Sequence, residues 1–169
     1  MKKLIAVTGT HGAGKTTLTY LMAAYYKSKG KNVKLVQEVA RTCPFPINHN
    51  MTLETARWIY HEHCKKELEA LRDHEIVICD RTFFDSFIYA EYFKLIDKYY
   101  VTKDNINYDQ IFFVRPHGKI QDDGVRSTDE KFQEAIDLLF YNQLKDIKHH
   151  QISSLDIFNG DMPWKAFCS

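Results

Sequence analysis

A glycine-rich segment near the start of the chain carries the residue types that bind phosphate. Residues 9–16 read Gly-Thr-His-Gly-Ala-Gly-Lys-Thr, which matches the spacing G-x-x-x-x-G-K-[ST] in full. Glycines at this spacing let successive backbone N–H groups turn toward phosphate oxygens. The ammonium group of Lys15 would then meet the β- and γ-phosphates of a nucleoside triphosphate, and the hydroxyl of Thr16 would reach a bound Mg²⁺.

The sequence on either side of this segment fits the same chemistry. The apolar run Leu4–Val7 predicts a strand that ends just before Gly9, and an amphipathic helix is predicted to begin near Gly14. The N-terminus of that helix would add partial positive charge. The sequence therefore predicts a P-loop that binds ATP or another nucleoside triphosphate together with Mg²⁺. The predicted nucleotide-binding residues of the loop are Gly9, His11, Gly12, Ala13, Gly14, Lys15, Thr16 and Thr17. His11 stands at a variable position, and we expect its side chain to be solvated.

Short apolar runs alternate with longer amphipathic stretches along the rest of the chain. The predicted strands are Leu4–Val7, Val33–Val36, Ile76–Cys79, Ile111–Val114 and, more weakly, Ile152–Ile157. This alternation predicts a three-layer α/β/α fold of the P-loop NTPase type, with a five-stranded parallel sheet. We expect one domain over residues 1–169.

Three details of the intervening segments are also predicted. Apolar residues at helical spacing run from Phe84 to Tyr99, which favours one long third helix. Ser127 and Glu130 form a capping-box pattern ahead of the fourth helix. The prolines in Cys43–Asn50 indicate a surface loop, and residues 115–127 indicate a polar flap that would close over ATP and exclude water. A solvated charged loop is the alternative for that flap.

Charged residues follow three of the predicted strands. Glu38 and Arg41 follow the second strand, Asp80 and Arg81 the third, and Arg115 the fourth. The carboxyl ends of parallel strands share one crevice, where ligands of such sheets bind. We expect Asp80 to hold Mg²⁺, in part through water, and the arginines to form a cationic pocket. Local surface salt bridges are the alternative for each arginine.

Two other classes of P-loop protein fit less well. A Ras-like switch would carry Asp-x-x-Gly after the third strand, whereas this chain has Asp80-Arg81-Thr82-Phe83 and no N-K-x-D motif. The large motor ATPases are longer and carry an additional lid domain. Phosphoryl transfer to an acceptor is therefore favoured.

The combined motifs resemble the P-loop nucleoside and nucleotide kinases. The chain is most similar to small kinase-like ATPase domains related to the nicotinamide riboside kinase domain of the bacterial NAD-biosynthesis regulator. The segments that carry the resemblance are Gly9–Thr17, Glu38–Arg41, Asp80–Thr82 and Asp122–Arg126.

The resemblance implies roles for particular residues. It implies that Glu38 is the general base, that Asp80 and Arg81 act at the transfer centre, and that Arg126 contacts the phosphates. The loop that contains Gly160 would border the nucleotide base. The predicted catalytic set is Lys15, Glu38, Asp80, Arg81 and Arg126. Nicotinamide riboside kinases often carry aspartate where Glu38 stands, whereas deoxynucleoside kinases carry glutamate, so the acceptor stays open.

The acceptor is expected to lie between Glu38 and Asp80. The predicted substrate-binding residues are Glu38, Arg41, Trp58, Arg81 and Arg115. Trp58 is included because it neighbours the proline-containing loop after Glu38 and would stack on an acceptor ring. The metal-like run His61–Cys64 is set aside, because its two histidines lack the i, i+4 spacing of a helical metal site.

The predicted activity is an ATP-dependent kinase acting on a nucleoside, a ribosylated base or a nucleoside monophosphate. The alternatives are a polynucleotide 5′-hydroxyl kinase, an NTP-binding or hydrolysing regulator, and a plain NTPase whose acceptor is water. The net charge of +1 disfavours a nucleic-acid partner. Four cysteines without a C-x-x-C pair and the absence of a long apolar run favour a cytoplasmic protein without a membrane partner. We expect a monomer or a homodimer.

Overall fold

Five parallel strands form a single sheet with the glycine-rich loop at the end of its central strand. The structure is a computed structural model that describes residues 2–97, 107–117, 128–161 and 167. The strands are β1 (Lys3–Thr8), β2 (Val33–Val36), β3 (Ile76–Asp80), β4 (Gln110–Arg115) and β5 (His150–Ser153). Their order is β2-β3-β1-β4-β5, and every neighbouring pair is parallel. The predicted five-stranded parallel sheet is confirmed.

Helices cover both faces of this sheet. They are α1 (Lys15–Ser28), α2 (Leu53–Asp73), α3 (Asp85–Tyr92), α4 (Glu130–Leu144) and α5 (Ser154–Asn159). Side chains along β1 alternate between the two faces, as in any strand. Ile5 and Val7 pack with Leu18 of α1, whereas Ala6 packs with Ile136 of α4. The three-layer α/β/α architecture predicted from the sequence is confirmed.

The third helix is shorter than its apolar spacing predicts. It ends at Tyr92, and Lys94 takes a left-handed conformation with φ of 57°. The Leu95 N–H donates to the Ala90 carbonyl at 2.9 Å, which is the terminal hydrogen bond of a Schellman motif. Leu95 and Ile96, past this turn, are apolar and half-buried, so helical spacing alone did not reveal the stop. The predicted continuation is therefore wrong through residue 97, and Tyr99 lies outside the described residues.

The fifth strand begins and ends earlier than predicted. It covers His150–Ser153, and the residues that follow form α5 instead of continuing the strand. The Ser153 hydroxyl accepts from the Leu155 N–H, and the Asp156 carboxylate accepts from the Ser153 N–H at 3.3 Å. This reciprocal cap starts a helix at Ser154. The predicted strand over Ile152–Ile157 is correct only in its first two residues.

The fourth helix is capped by a different residue from the one predicted. The Asp129 carboxylate accepts from the Lys131 N–H at 3.0 Å and the Phe132 N–H at 3.2 Å. Glu130 is therefore the first helical residue and not the third residue of a Ser127 capping box. Ser127 itself lies outside the described residues.

None of the described helices combines the length and the apolar character needed to cross a bilayer.

Candidate active site

Three glycines in the loop between β1 and α1 have positive φ angles. These angles are 134° at Gly9, 70° at Gly12 and 85° at Gly14. A Cβ at Gly9 would lie 2.4 Å from the backbone oxygen of Val114, which no real side chain tolerates. Because Gly9 has no Cβ, the loop can turn out of β1 in direct contact with the backbone of β4. Gly14 forms the N-cap of α1, so the loop delivers the chain to a helix N-terminus.

Lys15 is buried at the first position of α1. Its ammonium group donates to the Thr10 carbonyl inside the loop at 2.5 Å. Burial, and to a smaller extent the nearby Arg81, lower the pKa of Lys15 to about 7, and Glu38 is the strongest influence in the opposite direction. A phosphate group placed here would favour the charged ammonium, because it adds negative charge next to a desolvated cation.

Thr16 and Asp80 meet at the end of β3. The Thr16 hydroxyl donates to Asp80 Oδ2 at 2.5 Å. Asp80 is only 5% exposed, and within the described part of the chain its Oδ1 has no hydrogen-bond partner. A buried carboxylate oxygen without a partner, beside a hydroxyl, is an oxygen-only donor set of the kind that Mg²⁺ prefers. The residues present therefore fit the implied magnesium ion.

Glu38 lies between two arginines. Arg81 Nε lies 2.5 Å from Glu38 Oε1, and Arg41 Nε lies 3.1 Å from Glu38 Oε2. Burial disfavours the Arg81 charge, but Glu38, Tyr89 and Asp85 outweigh it and raise the pKa of Arg81 well above its ordinary value. The guanidinium group therefore stays positively charged, and its hydrogen bond holds the Glu38 carboxylate in position.

The backbone at Arg81 is strained. Its φ of 92° lies in a region that side chains rarely adopt. A hydrogen bond from the Arg81 N–H to the Val7 carbonyl, at 2.9 Å, anchors it to β1 beside the loop. Such strain costs about 1–3 kcal/mol and persists only where the surroundings enforce it. Here the enforced conformation turns the guanidinium toward Glu38.

Asp85 belongs to this group of residues, although the sequence reasoning missed it. Its Oδ1 accepts from the Thr8 hydroxyl at 2.8 Å and from both the backbone and the hydroxyl of Thr82. Its Oδ2 lies 3.5 Å from Arg81 Nη1. Burial raises the pKa of Asp85, while Arg81 and the hydrogen bonds act in the opposite direction. The signal in the sequence is an acid four residues after Arg81, in the first turn of the next helix.

His11 is buried and not solvated as predicted. Its backbone N–H donates to the Tyr89 hydroxyl at 3.1 Å, and its ring lies 4.9 Å from that of Phe132. The Gln133 side chain donates to the His11 carbonyl at 2.8 Å. These contacts tie the glycine-rich loop to α3 and α4, which no local pattern could reveal.

A cavity lies beside Glu38 and Arg81, between the loop, α2 and α3. Apolar and polar groups share its walls. The lining residues include His11, Glu38, Val39, Arg41, Ile47, Asn48, Met51, Thr55, Ile59, His63, Arg81, Asp85, Ser86 and Tyr89. Trp58 is half-buried on α2, but the residues that line the cavity from this helix are Thr55, Ile59 and His63. A second groove beside it contains Thr16 and Asp80 and shares Glu38 and Arg41.

Arg115 lies apart from this group. Its Nε is 2.7 Å from Asp137 Oδ2, and its guanidinium stacks 5.5 Å from the Tyr141 ring on α4. Burial raises the pKa of Asp137 above its ordinary value, and the hydrogen bond and charge of Arg115 offset only part of that rise. The structure therefore brings Arg41 and Arg81 together at Glu38 and directs Arg115 to α4. Arg126, Lys119 and the segment Asp122–Val125 lie outside the described residues.

The end of α5 lies next to the glycine-rich loop. Gly160 closes this helix in a left-handed conformation with φ of 79°. The Phe158 ring reaches within 3.5 Å of where a Cβ of Gly14 would lie, yet Phe158 is 60% exposed. In the loop itself Ala13 is buried in the core and Thr17 is exposed. An exposed aromatic face at the mouth of the loop was not predicted from the sequence.

The strand order and the glycine-rich loop define a P-loop nucleotide kinase-like domain. Residues 4–162 match the family model described as AAA domain, and the chain belongs to that family. No curated protein matches the sequence.

Solved kinase structures share this fold. Thymidylate kinase from Ehrlichia chaffeensis is 20% identical with a TM-score of 0.60, and the match covers 95% of this chain and 99% of that one. Deoxyadenosine kinase from M. mycoides, with the products dCMP and dCDP bound, is 18% identical with a TM-score of 0.57, over 92% and 93% of the two chains. The NadR protein in complex with NR is 19% identical with a TM-score of 0.68. That match covers 90% of this chain but only 45% of NadR.

Proposed function

We propose that this protein is an ATP-dependent kinase that transfers the γ-phosphoryl group to a small nucleoside, ribosylated base or nucleoside monophosphate. The observation that carries the proposal is the Glu38–Arg81 pair. It lies where the cavity meets the glycine-rich loop, with Glu38 Oε1 and Arg81 Nε 2.5 Å apart. A base and a fixed cation at this junction suit transfer between two bound molecules.

The donor nucleotide binds through the glycine-rich loop. Backbone N–H groups of the loop and the N-terminus of α1 surround its phosphates. Lys15 leaves the Thr10 carbonyl and pairs with phosphate oxygens, which restores the ammonium that burial disfavours. Thr16 and Asp80 would hold Mg²⁺, which neutralises phosphate charge when bound. Thr16 and Asp80 also line the groove next to the cavity, so the donor and the acceptor meet at Glu38.

The donor base would stack on Phe158. Its exposed ring lies beside Gly14, at the mouth of the loop. Aromatic rings stack on any nucleobase, so this contact supports binding of a nucleoside triphosphate without selecting adenine. Gly160 lets the chain turn away after the helix and keeps the ring accessible.

The acceptor occupies the cavity. Val39, Ile47, Met51 and Ile59 give it apolar walls suited to a planar ring, while polar groups cluster at the Glu38 end. The 3₁₀ turn Val39–Thr42, α2 and α3 enclose the cavity, which suits a small molecule better than a polynucleotide. Thymidylate kinase and deoxyadenosine kinase, which share the fold, support the same class of acceptor.

With a nucleoside or ribosylated base, transfer begins with a proton leaving the acceptor hydroxyl for the Glu38 carboxylate, whereas a nucleoside monophosphate offers an ionised phosphate oxygen directly. The acceptor oxygen then bonds to the γ-phosphorus as the bond to the β-phosphate oxygen breaks, and ADP leaves. Arg81, kept charged in the buried site, stabilises the negative charge on the transferring group. Arg41 restrains the other Glu38 oxygen. Arg126 is proposed to contact the phosphates from the flap.

The test measures ADP release from ATP and Mg²⁺ with a panel of acceptors. The panel contains nucleosides, nicotinamide riboside, nucleoside monophosphates and a 5′-hydroxyl oligonucleotide. We expect one small acceptor to raise ADP release well above the rate with water alone and to gain a phosphoryl group, detected by mass spectrometry. Glu38→Gln should abolish this stimulation, whereas Glu69→Gln, the same change at an exposed position on α2, should not. ADP release that no acceptor raises would refute the kinase assignment.

A further inference from the structure

A buried cluster beside the acceptor cavity contains three side chains of the types that bind transition metals. His63 and Glu67 come from α2, and Cys79 comes from β3. All three are buried, and one ring nitrogen, one carboxylate oxygen and the sulfur lie within 4.8 Å of one another. The proposed phosphoryl transfer uses none of these groups.

The geometry of His63 and Glu67 differs from that of an ordinary hydrogen bond. His63 Nε2 lies 3.1 Å from Glu67 Oε1, yet in the described structure this nitrogen has no aligned hydrogen-bond partner. Two such atoms bound to one tetrahedral ion at 2.0–2.1 Å would lie about 3.3 Å apart. The two donors are therefore already near the separation that a shared ion would impose.

The Glu67 carboxylate is oriented by a neighbour, as metal-binding carboxylates usually are. The Tyr108 hydroxyl donates to Glu67 Oε1 at 2.5 Å and accepts from the Phe83 N–H at 3.1 Å. Such outer contacts fix the direction of a ligand and are typical of metal centres. Tyr108 also anchors the chain just after Thr82, so the cluster is joined to the turn that holds Arg81.

An ion can reach the cluster from the acceptor cavity, because His63 lines the cavity wall. The i, i+4 pair of α2 is His63 and Glu67, a combination that sequence reasoning overlooked when it considered only the run His61–Cys64. The third ligand comes from a strand and is adjacent only in the folded chain. The fold thus brings together a set of three metal-binding side chains that the local spacing of histidines did not indicate.

We propose that His63, Glu67 and Cys79 bind a divalent transition-metal ion of the zinc class at the wall of the acceptor cavity. The sulfur and imidazole ligands favour such an ion over Mg²⁺, whose preferred ligands are oxygen atoms. Cys79 coordinates as a thiolate, so its proton passes to solvent when the ion binds. Water would complete a tetrahedral set at the position that the three protein ligands leave open.

The test titrates the protein with Co²⁺ as a spectroscopic substitute for zinc. Excess Mg²⁺ is present and no nucleotide is added, so the outcome does not depend on the proposed kinase activity. We expect one equivalent of cobalt to bind with a near-ultraviolet thiolate-to-cobalt band, and zinc to abolish that band by displacing cobalt.

The four cysteines allow a matched control. A variant with Cys43→Ser, Cys64→Ser and Cys168→Ser retains Cys79 as its only thiol and should keep the band. Cys79→Ser alone should lose it, and His63→Gln should weaken cobalt binding more than about tenfold.

Three results would overturn the proposal. These are the absence of a thiolate band in the wild type, an unchanged band in Cys79→Ser, and unchanged affinity in His63→Gln. If Cys79→Ser fails to fold, the variant that retains only Cys79 and His63→Gln decide the question between them.

Discussion

Replacing Lys15 by methionine should change how the stability of the protein depends on pH. The Lys15 side chain is buried, and its pKa falls from 10.5 in the unfolded chain to about 7 in the folded protein. Below pH 7 the amine is protonated in both states, and the folded protein bears the full penalty of burying that charge. Between pH 7 and 10.5 the unfolded chain holds a proton that the folded protein has released, so folding stability rises with pH.

The magnitude follows from the two pKa values. Each unit of difference is worth 1.36 kcal/mol, and at pH 7 the folded amine is half deprotonated. Between pH 7 and 9 the wild type should therefore gain about 2 kcal/mol of stability relative to Lys15→Met, which lacks the titrating group. Groups that do not interact with Lys15 titrate equally in both proteins and cancel in this difference, and carboxyl groups that do interact with it, such as Asp85 and Asp137, are acids whose ordinary pKa lies far below this pH range.

Urea unfolding of both proteins at pH 7 and pH 9, without nucleotide, measures this gain. Lys34→Met on β2 is the matched control, because that lysine is exposed and its removal should leave a constant stability difference from the wild type. A stability difference between the wild type and Lys15→Met that stays unchanged from pH 7 to 9 would refute the burial of this amine.

Three further predictions concern the loop, the transfer centre and a helix cap. Gly9→Ala should lower the free energy of unfolding in urea by more than about 2 kcal/mol, because its Cβ would meet the Val114 oxygen. The control Gly30→Ala, with φ of 73° and nothing within 4 Å, should cost only about 1 kcal/mol. Equal costs in the two variants would refute the close approach of Gly9 to Val114. Asp80→Asn should lower kcat for ADP release far more than it weakens ATP binding, and equal losses would exclude a role at the transfer centre. Asp129→Ala should cost about 1 kcal/mol of thermal or urea stability through loss of the cap on α4, and no loss would contradict the two hydrogen bonds to Asp129.

Much of the fold could be predicted because its signals are local. Short β-branched runs identified the strands, and Val33–Val36 has the predicted bounds. The errors arose where a side chain overrides periodicity, as when the Ser153 cap starts α5 inside the predicted fifth strand. The order β2-β3-β1-β4-β5 was not predicted, because strand order depends on contacts between distant segments.

The residues of the candidate site likewise divide into those that local sequence predicts and those that only the fold brings together. Lys15 and Thr16 belong to a contiguous motif, so their spacing alone indicated phosphate chemistry. The contacts of Arg115 with Asp137 and of His11 with Tyr89 join residues 22 and 78 positions apart in the chain. No spacing rule connects such pairs, and only the folded structure shows which arginines meet at Glu38.

The central claim is that the Gly9–Thr17 loop binds the phosphates of a nucleoside triphosphate. Equilibrium binding of a fluorescent ATP analogue, with and without Mg²⁺, tests it most directly in the wild type and in Lys15→Ala. We expect saturable affinity that Mg²⁺ strengthens and that Lys15→Ala largely removes, while ATP, GTP and other triphosphates serve as competitors. Purified, folded protein without magnesium-dependent affinity for any of these nucleotides would contradict the claim.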